Sequence, residues 1–378
     1  MSKQDTPTTA QSHGQATASA KPDPNAPGAI TVRSSEELFE AVENPNNAGA
    51  HIFLRGGTIA AQTFVLTKRL KLQKDMKLFG VSQDPSLIKI DTTSLTAADL
   101  TEGTFRVSSI AVGLGANTIE SLTIIGNPLA AGGIGTDLPG TDPTTVRIAH
   151  VISGETSDAF KSRGIDIRNL RSRVVTVEIE DCECFGQLQG IRLANFPGVD
   201  GAQIHAVMRR NHSHGNRVGF LVANNGGTNS RIEARSQGDL FDDNAAGLTI
   251  YGGVANASEN FARVEAKGTR IKSNRRSEVD VDFGGVVVVG GAVLNNQTVA
   301  SRNNAELRIE NCTIEDNRNP NFAAYGARNA TATTPTVAGT DNTVVIEFHG
   351  TNQLADVTAI PSGPDEPAKT NKIEFVTG

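Results

Sequence analysis

Four segments of the chain repeat one line of alternating apolar and small or polar residues: GIRLANF from Gly190, GFLVANN from Gly219, GLTIYGG from Gly247 and GVVVVGG from Gly285. A fifth, FAAYGAR from Phe322, follows the line without its leading Gly. Asn-rich polar stretches come next, and then a second alternating strand: RIEA from Arg231, RVEA from Arg263, RIEN from Arg308. Alternation with period two predicts strands. Recurrence at roughly thirty to forty residues, with no helical periodicity between, predicts a parallel β-solenoid. Ile191 and Leu193, Phe220 and Val222, Leu248 and Ile250, and Val286 and Val288 then face inward. Arg192, Leu221, Ala223, Thr249, Tyr251, Val287, Val289, Ala323 and Tyr325 face outward, an apolar strip that predicts a covered or self-associating surface.

In the second strand, aligning Ile179, Ile204, Ile232, Val264, Ile309 and Ile346 as one core row puts Glu180, His205, Glu233, Glu265, Glu310 and Glu347 in one outer row. Glu178, Gln203, Arg231, Arg263, Arg308 and Val345 form the row beside it. Like charges about 4.8 Å apart repel. The alignment therefore predicts interleaved Arg–Glu pairing, with a divalent cation or a basic polymer as the alternative neutraliser.

The ends read differently. Residues 1–28 contain no Val, Ile, Leu or Phe, which predicts disorder. Order is expected from Ala29 with a strand, then a short helix through Val42 that Ser34 and Glu37 cap, its apolar face serving as a lid on the solenoid core. The body spans about 29–360. Asn127–Pro143 and Asn329–Asp341 read as loops leaving it, and 361–378 as a tail with a strand at Ile373–Val376.

Composition fits coils stacked from small and β-branched residues: Trp is absent, with 2 Tyr and 15 Phe among 378 residues. A net charge of −6 gives no electrostatic case for nucleic acid, and no apolar run is long enough for a membrane span. The start lacks the apolar core of a secretory signal, and Cys182, Cys184 and Cys312 read as reduced, so a cytoplasmic location is expected.

The run HIFLRGGTI from His51, FVLTKRLKL from Phe64 and MKLFG from Met76, taken with the later coils, resembles the opening coils of right-handed parallel β-helix proteins of the pectate-lyase-like superfamily. The resemblance covers about residues 30–350. It implies an all-β, single-stranded right-handed parallel β-helix with a short N-terminal capping helix, and a polysaccharide as the class of substrate. Fragments similar to polygalacturonase-like hydrolases occur at Ser213-His214-Gly215, Asp242-Asp243 and Arg270-Ile271-Lys272. Their order is reversed and the Asn-Thr-Asp element is missing, so that activity is not carried over.

Candidate chemistry gathers in two turns. Aligned on Ile204 and Ile232, His214 and Asp242 become rung neighbours, the pairing that general acid–base catalysis uses. His214, Asp242 and Arg210 are the candidate catalytic residues. Arg192, His212, Asp243 and Tyr251 are candidates for holding substrate, and Arg209, Arg210 and Arg217 near the turn could hold a uronate or sulfate group. The bland reading is solvated turn residues with Asn216 and Asn244 forming an internal Asn ladder. No zinc spacing or phosphate loop occurs, and no cofactor is expected beyond a Ca²⁺ that Glu278, Asp280 and Asp282 could ligate. Two functions stand side by side: a β-helix that binds or processes an acidic glycan, as a lyase, hydrolase or epimerase, and a non-enzymatic scaffold that forms a homo-oligomer through the outer apolar strip.

Overall fold

The computed structural model describes residues 22–56, 60–155, 161–275, 284–293, 300–318, 321–329, 339–354, 357–359 and 371–378. The chain winds as a parallel β-helix, as the repeats and the resemblance imply. Each turn adds one strand to a ten-stranded sheet and one or two to a twenty-stranded sheet. Every pairing between named strands is parallel except Thr101–Glu102 with Phe105–Arg106, a small hairpin. The expected inward residues stack in register, Ile191 on Phe220 on Leu248 on Val286, and all are buried in one core.

The capping helix runs Ser35–Glu43, with the Ser34 hydroxyl accepting from the Glu37 amide at 3.2 Å. Leu38, Phe39 and Val42 are buried against the first coils, closing one end of the core. At the other end Lys372–Thr377 pairs with Thr343–His349, which supplies the expected terminal strand.

Corners repeat as regularly as strands. Where the long sheet bends, each rung has a residue in the left-handed region: Asp181, Arg210, Gly238, Gly268, Asn311 and Gly350. A second corner carries Gly186, Gly215, Asp243, Ser273 and Asp316. Just inside it the expected Asn ladder forms. Asn216 Nδ2 donates to Asn244 Oδ1 (3.1 Å), Asn244 Nδ2 to Asn274 Oδ1 (3.0 Å), and Asn274 Nδ2 to Asn317 Oδ1 (2.8 Å). The repeated Gly is a consequence of this ladder. A Cβ on Gly190, Gly219 or Gly247 would lie 2.8 Å from the amide nitrogen of Asn216, Asn244 or Asn274 respectively.

Several expectations are corrected. Asn127–Pro143 is not an excursion: Ile134–Gly135 is a strand of the ten-stranded sheet, and Gly135 is small because a Cβ would meet Ser108 Oγ at 2.0 Å. The acidic run 278–282, most of the 329–341 segment, residues 1–21 and 360–370 lie outside the described residues.

The second-strand alignment slips by even steps. Ile204 does pair with Ile232, but Val264 pairs with Ala234 and Leu307 with Val264, slips of two, and Met208 pairs with Ile179, a slip of four. An even shift keeps every side chain on its face, so the core assignment survives. The Glu row does not. Opposite charges stack instead, Glu233 beside Arg263 beside Glu306 and Arg235 beside Glu265 beside Arg308. Ion pairs follow at Arg235–Glu265 (3.2 Å), Arg263–Glu265 (2.9 Å) and Lys267–Glu310 (2.7 Å). This is the interleaved pairing that relieves the repulsion, and it needs no cation.

The outer strip of the ten-stranded sheet is also resolved. Val287, Val289 and Ala323 are fully buried and Tyr325 nearly so, forming a second apolar cluster on the outside of the sheet. Leu221 and Tyr251 are partly buried against it. Val287, Val289, Ala323 and Tyr325 are thus covered within the chain, while Leu221 and Tyr251 keep part of their surface exposed.

Candidate functional site

The predicted site residues separate into two places. His212, His214, Asp242, Asp243 and Arg210 lie on the flank of the long sheet, while Arg192 and Tyr251 lie on the ten-stranded sheet. A groove uniting them does not form.

On the flank, three-residue strands Glu183–Phe185, His212–His214, Leu240–Asp242 and Arg270–Lys272 stack in register. Their middle residues Cys184, Ser213, Phe241 and Ile271 point into the core, so the first and third face out. His214 and Asp242 are rung neighbours, as expected. The hydrogen bonds run diagonally instead. His212 Nε2 meets Asp242 Oδ1 at 2.7 Å, and His214 Nε2 meets Glu183 Oε1 at 2.9 Å. Each imidazole thus passes over the carboxylate directly beside it, Glu183 for His212 and Asp242 for His214, and bonds the one on the diagonal, while Leu240 and Phe185 flank the pair on the remaining sides. The imidazoles stack on each other with centroids 4.3 Å apart, and Phe185 stacks on His214. Arg210 is taken up by Asp181 and Glu180, with bonds of 2.6–2.8 Å. Asp243 is a corner residue with φ 49°.

Arg192 belongs to a different assembly. Its Nε and Nη2 donate to the two oxygens of Asp166 at 2.6 and 3.0 Å. Arg168 Nε lies 3.1 Å from the same carboxylate, and its Nη2 donates to Asp137 at 2.6 Å. Arg69 bridges Asp137 and Glu102. Burial works against the Asp166 charge, but the Arg192, Arg168 and Arg163 guanidinium groups outweigh it and hold its pKa below the usual range. Arg163 donates to two neutral acceptors, Gln189 Oε1 and the Ala131 carbonyl. Burial, with Arg192 nearby, brings its pKa down to about 9. Arg106 spans the carbonyls of Pro128, Leu129 and Ala130.

Phe196 joins this network to open space. Arg168 lies over its ring at 5.9 Å, and Phe105, 53% exposed at the tip of the hairpin, packs edge-to-face on it at 5.1 Å. Beside them lies a cleft of about 480 Å³ lined by Arg192, Phe196, Pro197, Asn225, Gly226 and Asn256, among others.

No family model and no curated protein matches the chain. Among solved structures it is similar to the mannuronan C-5 epimerase AlgE6 A-module of Azotobacter vinelandii (14% identity, TM-score 0.41, 91% of this chain and 95% of that one). It is also similar to the surface protein and adhesin PfbA of Streptococcus pneumoniae (9% identity, TM-score 0.37, 91% and 94%). A third is endopolygalacturonase I of Stereum purpureum (12% identity, TM-score 0.29, 92% and 99%). Likeness at this level carries no chemistry over to this chain, whose site rests on its own residues.

The sequence reading found Arg192 but missed Asp166, Arg168, Arg163, Phe105 and Phe196. One signal was present. GIDIRN from Gly164 follows the same template as GIRLAN from Gly190, and it forms the preceding rung, with Asp166 beside Arg192. The hairpin residues carry no such periodic mark.

Proposed function

We propose that the protein binds an acidic polysaccharide along the outer face of the ten-stranded sheet, through the cleft at Arg192 and Phe196. The observation that carries this reading is the charge balance along that face, of which Arg192 lines the cleft itself. Lys71, Arg69, Arg106, Arg163, Arg168, Arg173 and Arg192 face Glu102, Asp137, Glu155 and Asp166 among the described residues, an excess of cations in a chain of net charge −6. Guanidinium groups match carboxylates in geometry. Half-exposed aromatic rings such as Phe105 and Phe196 offer apolar faces to a sugar ring, and Asn225 and Asn256 offer amides to its hydroxyls. The reading concerns binding. The flank residues His214, Asp242 and Arg210 do not form a connected acid–base set, because Arg210 is held by other carboxylates and the two histidines pair diagonally.

The test is calorimetric titration with polygalacturonate and alginate oligomers, with dextran as the neutral control. Binding of the acidic oligomers alone, weakened by salt and by Phe105→Ala, is expected. Equal binding of dextran, or none of either acid, would end the proposal.

A further inference from the structure

The flank cluster carries an inference independent of the glycan reading. One ligand atom from each of Glu183, His212 and His214 lies within 4.8 Å of the others, and Asp242 is bonded to one of the two imidazoles, that of His212. We propose that Glu183, His212 and His214, with Asp242 as the fourth donor, form a binding site for a borderline divalent transition-metal ion of the zinc class.

Three features support this assignment. The first is the donor set: two imidazole nitrogens and two carboxylates suit Zn²⁺ and its neighbours, whereas Ca²⁺ and Mg²⁺ require shells of oxygen. The second is geometry. Bonds of about 2.0–2.1 Å in a tetrahedral site put donors roughly 3.3 Å apart. Side-chain rotation of about an ångström brings the three observed donors to that spacing, with no movement of the strands. The strands themselves are fixed: Glu183, His212 and Asp242 sit on three successive rungs whose register is set by backbone pairing and by buried Cys184, Ser213 and Phe241 between them. Phe185 stacked on His214, and His214 on His212, limit how far the rings can swing.

The third is charge. Two carboxylates with two imidazoles as ligands form a donor set whose charge one divalent cation cancels. Lys272, one rung beyond Asp242, has Glu315 on its other side. His205 provides a natural contrast. Among the described residues it has a single carboxylate partner, Glu233 at 3.2 Å, and no second imidazole beside it.

The experiment is titration of the full chain, stripped with chelator, with ZnCl₂ by calorimetry. One saturable equivalent is expected. His212→Ala and His214→Ala should each weaken it about 10- to 100-fold or more, as loss of a ligand does, and His205→Ala should leave it unchanged. Millimolar Ca²⁺ should not compete. In case either variant misfolds, Co²⁺ added to the unaltered chain gives a second readout: an intense visible d–d band of four-coordinate cobalt is expected. Failure of Zn²⁺ to bind, binding that survives loss of both imidazoles, or only the weak band of octahedral cobalt would overturn the assignment.

Discussion

Asn244→Ala is the sharpest test of what holds the coils in register. The Asn244 side chain makes four hydrogen bonds in the core. Nδ2 donates to the Ser213 carbonyl (2.9 Å) and to Asn274 Oδ1 (3.0 Å), and Oδ1 accepts from the amide (2.9 Å) and side chain (3.1 Å) of Asn216. Asn274 Oδ1 keeps its bond from the Asn244 amide, and Asn216 Nδ2 keeps Cys184 and Ser213. The buried Asn216 N–H then loses its partner outright, and the Ser213 carbonyl, within the paired strand His212–His214, loses this donor. At about 1–3 kcal/mol for the orphaned amide and about 0.5–1.5 kcal/mol for the second bond, the variant should lose about 1.5–4.5 kcal/mol. Gln237→Ala, on the exposed side of the same coil, should change stability by less than about 0.5 kcal/mol. Equilibrium urea unfolding measures both, and hydrogen exchange at the Asn216 amide localises the effect. A loss below about 1 kcal/mol for Asn244→Ala, comparable to an ordinary single hydrogen bond, would refute the ladder argument.

Other outcomes follow from the same structure. Asp239 is buried where it accepts bonds from Asn211 and Ser236, and burial pushes its pKa up from 3.8 to about 6. The folded state therefore holds the proton more tightly than the unfolded one. This contribution is fully present below about pH 4 and declines as pH rises towards and through 6. Asp239→Asn should flatten that segment of the urea-midpoint-against-pH curve and raise stability at pH 7 by about 1–3 kcal/mol; an unchanged slope would contradict it. Gly190→Ala puts a Cβ 2.0 Å from Ser213 Oγ and 3.1 Å from the Gly219 carbonyl, and should cost about 1–3 kcal/mol in thermal or urea unfolding. Val287→Glu places a charge in the covered outer cluster and should destabilise by about 3–5 kcal/mol. A variant that instead melts normally while changing the particle mass in light scattering would restore the strip as an association surface.

The architecture was legible because every strand declares its inner face by alternation, and because the Asn ladder forces Gly at the start of successive coils. The same property hid the register. Alternation is unchanged by a slip of two, so nothing in RVEA from Arg263 distinguishes Val264 over Ile232 from Val264 over Ala234. Electrostatics supplied the missing information, since one register stacks Glu on Glu and the other stacks Glu on Arg. The flank cluster was half legible. Counting along the coil put His214 beside Asp242, but that carboxylate bonds His212 on the diagonal, a choice of side-chain rotamer that register alone does not set. The arginine network was least legible, because its partners come from a hairpin at 101–106 and a covering segment near Asp137 that share no period with the coils.

The central claim is that the cleft beside the arginine network holds an acidic glycan chain, and binding of a polygalacturonate oligomer to Phe196→Ala tests it most directly. Phe196 lines the cleft and lies under Arg168, yet it belongs to neither the core cluster nor the outer one. The account predicts salt-sensitive binding by the unaltered chain, a dissociation constant about ten-fold higher in the variant, corresponding to about 1.4 kcal/mol, and nearly unchanged thermal unfolding. Affinity equal to that of the unaltered chain, with the fold intact, would contradict it.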